Sequence, residues 1–390
     1  MGDVDDPGLR REAQDHAVND ADELVGQPVV GQESDGERAG GGGHGPSIGA
    51  GRAQPVRAPG GPPAPGRPAA ALAGSGGTGP AASIQSPSRR PERPLHGDHQ
   101  HSALIDDLVH RRGAVLLVGA PDTGKSTFAH RLLEAAAAAG VSAAYVDADV
   151  DQTTCGPPAC VGLHWVHRPQ DLSDLGRADA LEFVGSIRPE RVVLEQVVAT
   201  AKLADLARTR AELVVIDTTG AISGVVGQTL KYHKMELCRP DAVVGLQRGG
   251  ELEPLVGMLR RFFSATVELR AADPDVRPTS PEDRRARRAA AFAAAFAAPL
   301  ERWRVRPTVF APTLPAGLDL ARLDRVLVGL MDGRGRCLGL GVLEHDDGLL
   351  RVLTNSGEEM RGLRLGSLTM DPATWEVHPV RLSEVMFGLD

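Results

Sequence analysis

The residues whose types and spacing most clearly indicate a chemical role form an octapeptide at positions 119–126, GAPDTGKS. It matches G-x-x-x-x-G-K-[ST], a loop whose N–H groups cradle phosphates, while the lysine neutralises β- and γ-phosphate charge and the hydroxyl ligates Mg²⁺. An apolar run precedes the loop and a helix-forming stretch follows it, so a helix N-terminus adds its dipole. The pattern predicts binding of a nucleoside triphosphate with Mg²⁺, the metal being held by Ser126. The predicted nucleotide contacts are Gly119, Ala120, Pro121, Asp122, Thr123, Gly124, Lys125, Ser126 and Thr127.

Carboxylates follow two further apolar runs. Asp147 and Asp149 come directly after residues 141–146, and Asp217 comes directly after residues 213–216. Phosphoryl transfer needs a carboxylate near the cation and a group that orients or deprotonates the acceptor. The positions predict that Asp217 holds Mg²⁺, that Asp149 accepts the proton of an acceptor hydroxyl, and that Asp147 packs there or aids the metal. A solvated turn is the alternative interpretation of residues 147–151.

An arginine-rich stretch at 284–288, RRARR, supplies positive charge. Ser280 is a predicted helix N-cap, and Pro281 fits the first helical position. On such a helix Arg284 and Arg288 share one face, where they can close on phosphate oxygens. We interpret this helix as a lid over the nucleotide, with a solvated basic helix as the alternative.

The elements that position these residues alternate between apolar strands and helical stretches. Apolar runs typical of strands buried on both faces occupy residues 114–118, 141–146, 213–216 and 242–246. The helices between them imply parallel crossovers, so the predicted fold class is α/β, a P-loop NTPase with a mostly parallel sheet flanked by helices. Ligands of such sheets bind beyond the carboxyl ends of the strands, where the octapeptide and the carboxylates lie.

The first hundred residues have a different composition. They contain 20 Gly and 13 Pro and no Phe, Trp or Tyr, too little apolar surface to offset the entropy of ordering a chain. We predict a disordered low-complexity leader over 1–100, unless the start site has been placed too far upstream, and a P-loop domain with its lid over 101–298. The sequence shows no secretory, transit or membrane-spanning pattern, which predicts a cytoplasmic protein without membrane contact.

Charge, cysteines and histidines narrow the functional classes. A net charge of −8 disfavours bulk electrostatic binding to nucleic acid but leaves room for a local basic groove. The four cysteines contain no C-x-x-C pair, which favours reduced structural thiols. His96, His99 and His101 cluster without a second ligand group at a metal-site spacing, so a metal site there is disfavoured.

Residues 299–390 change character. Short apolar runs at 325–331, 337–343, 349–353 and 363–370 are separated by turn signals that include Asp-Gly pairs. We predict a small β-rich C-terminal domain. It either packs against the P-loop domain or presents a surface to a nucleic acid strand.

Five motifs, in order, resemble the polynucleotide 5′-hydroxyl kinase family, which includes kinases of messenger-RNA cleavage factor and of ribosomal-RNA processing. They are GAPDTGKST, DADVDQ, FVGSIRP, IDTTGAISGVVGQTLK and the arginine-rich lid, and they cover roughly residues 112–298. The resemblance implies Mg²⁺-dependent transfer of the γ-phosphate of ATP or GTP to the 5′-OH of RNA or DNA. It implies Lys125 in the P-loop, Asp149 as the base, and Arg284 and Arg288 as lid arginines. Protein partners and oligomeric state do not follow from it.

Two positions depart from the family pattern. Asp151 stands where the family usually has Gly, and Ala221 stands where eukaryotic members carry a Trp that stacks on a substrate base. Trp165 either replaces that stacking or fills the core. Two functions are therefore open: an active polynucleotide kinase in RNA processing or end repair, or a nucleotide-binding scaffold with weak or lost activity in an RNA-processing assembly. A small-molecule kinase would need a closed acceptor pocket.

Overall fold

The computed structural model describes residues 25–28, 101–274 and 276–388. The predicted leader lies outside the described residues, except for strand β1. The strands are β1 (Val25–Pro28), β2 (Gly113–Gly119), β3 (Ala143–Ala148), β4 (Cys160–Val166), β5 (Ala180–Phe183), β6 (Leu213–Thr218), β7 (Ala242–Gln247), β8 (Thr266–Ala271), β9 (Glu301–Val305), β10 (Phe310–Ala311), β11 (Val326–Met331), β12 (Cys337–Asp346), β13 (Leu349–Thr354), β14 (Gly362–Met370) and β15 (Val377–Pro379). The helices are α1 (Ser102–Arg111), α2 (Lys125–Ala138), α3 (Val193–Arg208), α4 (Gly224–Cys238), α5 (Glu253–Phe262), α6 (Pro281–Ala295) and α7 (Leu382–Phe387).

The central sheet has the parallel strand order β3-β6-β2-β7-β8. Strand β2 shows why it is buried on both faces. Its residues Ala114, Leu116 and Val118 pack into one core with α3, α4 and α5, whereas Val115 and Leu117 pack into the other with α1 and α2. The predicted mostly parallel sheet between two helical layers is confirmed. None of the described helices is both long enough and apolar enough to cross a bilayer.

Two strands beside β3 run antiparallel, which the sequence pattern did not predict. Strand β4 pairs with β3, and β5 pairs with β4. Antiparallel neighbours need only a loop between them, whereas parallel neighbours need a crossover. The β3–β4 connection, residues 149–159, is therefore a loop, and it carries the carboxylates that follow β3.

The strands after residue 299 extend the same sheet. Strand β12 pairs with β5 through Cys337 and Leu181, and β13, β9 and β1 follow outward from β12. Hairpins β11-β12 and β12-β13 occupy three of the apolar runs, and β14, the fourth, pairs with β11. The predicted β-rich character of this region is confirmed.

Helix α6, the predicted lid, begins as its sequence indicates and ends in a core. Ser280 Oγ caps the helix by accepting from the Asp283 N–H at 3.0 Å. At the other end Phe292 and Phe296 are buried with Leu327, Leu340 and further apolar side chains of the C-terminal strands. The lid therefore carries arginines at its start and a hydrophobic anchor at its end. All four cysteines are buried free thiols, as predicted.

Candidate active site

A cavity of about 590 Å³ opens at the carboxyl ends of the parallel strands. Its lining comes from the P-loop, the loop after β3, residues 219–221 after β6, residues 187–190 after β5, and residues 276–291, which include the first turns of α6. The first three follow the neighbouring strands β2, β3 and β6, which explains why segments distant in sequence meet there. We call this space the P-loop cavity.

The P-loop has the geometry of a phosphate cradle. Gly124 has φ +87°, a left-handed conformation that glycine adopts freely, and it leads directly into α2. Lys125 is buried, and its Nζ donates to the Ala120 carbonyl at 2.8 Å. The loop packs closely on the segment after β6, since a Cβ on Gly220 would lie 2.6 Å from the Pro121 ring. The predicted nucleotide-binding loop is therefore held rigidly at the mouth of the sheet.

Ser126 and Asp217 meet as two oxygen ligands. Ser126 Oγ donates to Asp217 Oδ2 at 2.6 Å, and the Tyr145 hydroxyl donates to the same oxygen at 3.3 Å. Burial raises the pKa of Asp217, an effect that the Lys125 charge and the Ser126 hydrogen bond oppose. Hard oxygen donors of this kind suit Mg²⁺. Among the described residues no group of three or more His, Cys, Asp or Glu forms a metal cage.

Asp147 holds the loop after β3. It is the register partner of Asp217 on the adjacent strand. Its Oδ1 accepts from the Asp149 N–H at 3.0 Å, and its Oδ2 accepts from the N–H groups of Thr154 and Cys155. Burial, together with the charges of Asp217 and Asp149, raises the pKa of Asp147 to about 8. This geometry supports a packing role for Asp147; its predicted role as a metal ligand stays a prediction.

Asp149 lines the P-loop cavity. Its Oδ1 accepts from the N–H groups of Asp151 at 3.1 Å and Gln152 at 3.2 Å. Its Oδ2 has no hydrogen-bond partner among the described residues, so it is open to a substrate hydroxyl. Asp151 does not occupy a positive-φ conformation, so the side chain in place of the family's glycine imposes no strain on this turn.

Both predicted lid arginines reach the cavity and pair with acids there. Arg284 contacts Asp122 of the P-loop at 2.5 Å, and Arg288 forms an ion pair with Asp151. Gln152 strengthens this link by donating from Nε2 to the Arg284 carbonyl at 3.3 Å. Arg287 also lines the cavity, although its side chain is exposed. The lid is therefore tied to both the P-loop and the loop that bears Asp149.

Two lysines beneath the site were missed by sequence reasoning. Lys231 and Lys234 on α4 are fully buried. Lys231 Nζ donates to Thr218 Oγ1 at 2.9 Å and to the Thr219 carbonyl at 2.8 Å, which fixes the end of β6. Lys234 Nζ is buried and finds no hydrogen-bond partner in the described part of the chain. The sequence did contain an indication of these lysines. Lys231 ends the motif IDTTGAISGVVGQTLK, and Lys234 follows it one helical turn later.

Aromatic stacking in the P-loop cavity is not supplied by Trp165. Its ring packs beside the core, with the Arg210 guanidinium 4.7 Å from the ring centroid, and it does not line the cavity. Ala221 does line the cavity. The core-filling interpretation of Trp165 therefore fits the structure.

The chain is similar in sequence to proteins of known family. The family model described as "mRNA cleavage and polyadenylation factor CLP1 P-loop" matches residues 119–298. The polyribonucleotide 5′-hydroxyl-kinase of Pyrococcus horikoshii is 29% identical over 296 residues, which cover 62% of this chain and 80% of that protein. The Thermococcus kodakarensis protein of the same name is 29% identical over 328 residues, covering 70% of this chain and 92% of its own length.

Over its P-loop region, residues 119–298, the chain is similar to the polynucleotide 5′-hydroxyl kinase family. The fold of the family agrees with that of the chain. A solved Clp1p–Pcf11p complex contains a chain that aligns with a TM-score of 0.53 at 13% identity, covering 68% of this chain and 77% of the solved one. Nucleotide binding follows from the P-loop fold of this family.

Proposed function

We propose that the protein transfers the γ-phosphate of ATP, with Mg²⁺, to the 5′-hydroxyl of RNA. The observation that carries the proposal is the meeting of Lys125, Asp149 and the lid arginines in one cavity. The curated relatives named polyribonucleotide 5′-hydroxyl-kinases support RNA as the acceptor. We expect the reaction in the cytoplasm, where ATP and RNA occur together.

Each residue has a part in the proposed reaction. The 5′-oxygen forms a bond to the γ-phosphorus while the bond from that phosphorus to the β,γ-bridging oxygen breaks, leaving ADP. Asp149 takes the proton of the 5′-hydroxyl through its open Oδ2. Lys125 neutralises charge on the β- and γ-phosphates, and Ser126 and Asp217 would hold Mg²⁺. The metal, when bound, supplies positive charge on the phosphate oxygens.

The lid pairs suggest how the site accepts its nucleotide. Asp122 and Asp151 now neutralise Arg284 and Arg288, and phosphate oxygens of ATP offer the same guanidinium groups a denser negative charge. We infer that the triphosphate displaces these carboxylates. The arginines then act on charge that develops during transfer.

The experiment is incubation with γ-labelled ATP and a 5′-OH RNA oligonucleotide, scored for label at the 5′ end. The matched control is the same oligonucleotide carrying a 5′-phosphate, which has no acceptor hydroxyl. A parallel reaction with a 5′-OH DNA oligonucleotide measures the preference for RNA over DNA as acceptor. A parallel reaction with γ-labelled GTP measures the preference for ATP over GTP as donor. Nucleotide binding without label on any 5′-OH strand would contradict the kinase and favour the scaffold.

A further inference from the structure

A second cleft, of about 270 Å³, opens beside the P-loop cavity. Residues 187–188, the lid helix and residues 375–379 of the C-terminal region line it, and we call it the side cleft. Ile187 and Arg288 line both spaces. The two spaces are therefore adjacent, with Ile187 and Arg288 at their boundary.

The side cleft offers free positive charge. Arg188 and Arg285 line it with exposed guanidinium groups that have no ion pair or hydrogen bond among the described residues. They differ in this respect from Arg284 and Arg288, which form ion pairs with carboxylates. His378 adds a further donor, and Glu376 is the acid in the lining. Unpaired arginines at one cleft suit a ligand with repeated negative charges, such as a phosphate backbone.

The side cleft also offers an aromatic surface. Trp375 lines it, and its ring stacks on Phe296 with centroids 5.0 Å apart and an interplanar angle of 15°. Phe296 is itself buried in the core that anchors the lid. The indole is thus braced from behind while it remains partly exposed. An aromatic ring held rigidly beside cationic groups is the arrangement on which single-stranded nucleic acids stack their bases.

We propose that the side cleft binds the substrate strand on the 3′ side of its second nucleotide. Arg188 and Arg285 contact backbone phosphates, and Trp375 stacks on a base. The inference rests on the proposed function, because the strand's 5′ end must lie in the P-loop cavity. It also gives the C-terminal region a positioning role in substrate binding, and it provides a base-stacking aromatic where Ala221 offers none.

The test compares a 5′-OH dinucleotide with a 5′-OH octanucleotide as acceptors. For the wild-type protein, KM for the octanucleotide is expected to be lower. Arg188→Ala, Arg285→Ala and Trp375→Leu should each raise KM for the octanucleotide about fivefold or more, with kcat little changed. KM for the dinucleotide should change less than twofold. Each arginine variant should also reduce the slope of log affinity against log salt by about 0.7.

Two controls keep the test decisive. Arg261→Ala removes an exposed cation on α5 that lines neither the side cleft nor the P-loop cavity, and it should leave both KM values unchanged. Trp375→Phe keeps an aromatic ring on Phe296 and should lose less than Trp375→Leu. Equal KM values for the two acceptors in the wild type, or equal changes for both in the Arg188 and Arg285 variants, would overturn the proposal.

Binding without catalysis separates this proposal from the proposed function. An octanucleotide with a 3′ fluorophore is titrated with protein, without ATP, and anisotropy is recorded. Weaker binding by the cleft variants, but not by Arg261→Ala, is the expected result even if no transfer to 5′-OH ends were observed. Unchanged affinity in Arg188→Ala and Arg285→Ala would overturn the cleft, whatever the kinase assay gives.

Discussion

Lys125 carries the charge on which the cradle depends. Lys125→Ala is expected to lower turnover by at least about 10²-fold, because it removes the cation that neutralises the β- and γ-phosphates. Steady-state kinetics with labelled ATP measure the loss, and Arg261→Ala serves as a control for loss of a surface cation. Wild-type turnover in Lys125→Ala would show that the loop does not act as a phosphate cradle.

Asp149 and Asp147 should respond differently to the same change. Asp149→Asn keeps the side-chain shape but loses the proton acceptor, so kcat should fall by about 10²–10⁴-fold while nucleotide affinity changes little. Asp147→Asn instead replaces an acceptor of three backbone N–H bonds, and its main expected effect is a lower melting temperature. A parallel loss of nucleotide affinity in Asp149→Asn would make Asp149 a metal ligand.

At the scale of residues, sequence reasoning identified groups that line the P-loop cavity and missed those that hold them in place. Lys125, Ser126 and Asp149 can be recognised from the sequence because a phosphate loop and a strand-end carboxylate have fixed local patterns. The bonds of Lys231 to Thr218 and Thr219 join residues of two elements. The pairing of Asp122 with Arg284 spans 162 positions. Such contacts depend on the packing of distant segments, which local patterns do not encode.

Within the lid helix α6, substitutions of the four arginines should differ in their effect on kcat. Arg284→Ala and Arg288→Ala should lower kcat by about 10²-fold or more, with a smaller effect on nucleotide affinity, since these groups act on charge developing in transfer. Arg285→Ala and Arg287→Ala should cost less than about tenfold, because their exposed charges have no partner in the described residues. A dinucleotide acceptor keeps the side cleft out of the comparison. Equal small losses at all four positions would mean that α6 is a solvated basic helix.

Helix α4 contains a buried lysine, Lys234, that destabilises the fold to a degree that depends on pH. Burial lowers the pKa of Lys234 to about 8 from an ordinary 10.5, so the folded protein disfavours its charge. Lys234→Met should therefore raise the melting temperature by several degrees near pH 7. The gain should shrink between pH 8 and 10.5, where the folded lysine is neutral but the unfolded one is still protonated.

Thermal melts of both proteins across this pH range measure the effect. Lys231→Met is the matched comparison, and it should not stabilise because it breaks two hydrogen bonds. A stability difference between Lys234→Met and the wild type that is constant from pH 7 to 10.5 would contradict the prediction.

Elements were predictable where their pattern is local. The four parallel strands with apolar runs are present, and Ser280 caps α6 as its sequence indicates. Strands β4 and β5 were missed because nothing in their own residues reveals that a loop, rather than a crossover helix, returns the chain beside β3. Strand β8 was missed because it is an edge strand with exposed and half-buried residues, including charged ones.

For the whole molecule, the leader is the segment that we propose to be dispensable for nucleotide binding. Deletion of residues 1–100 should leave nucleotide affinity within about twofold, because the described residues that line the P-loop cavity all come after residue 120. It removes β1, which pairs with β9, so the melting temperature should fall by a few degrees. Isothermal titration and thermal melts of the deleted and full-length chains measure both. Lost nucleotide affinity would show that the leader supports the site.

We expect the packing of α6 against the C-terminal strands to affect the release of products from the active site. Phe292 and Phe296 seat the end of the helix among the C-terminal strands, and unseating a buried Phe is costly, about 3–5 kcal/mol by comparison with truncation to Ala. The arginine end is held by polar contacts at the P-loop cavity, chiefly the ion pairs of Arg284 with Asp122 and of Arg288 with Asp151. If α6 moves, we expect its arginine end to move and its phenylalanine end to act as the pivot. We therefore expect the release of ADP and of the phosphorylated strand to respond to packing at the far end of the helix, where Phe292 and Phe296 lie outside the P-loop cavity lining.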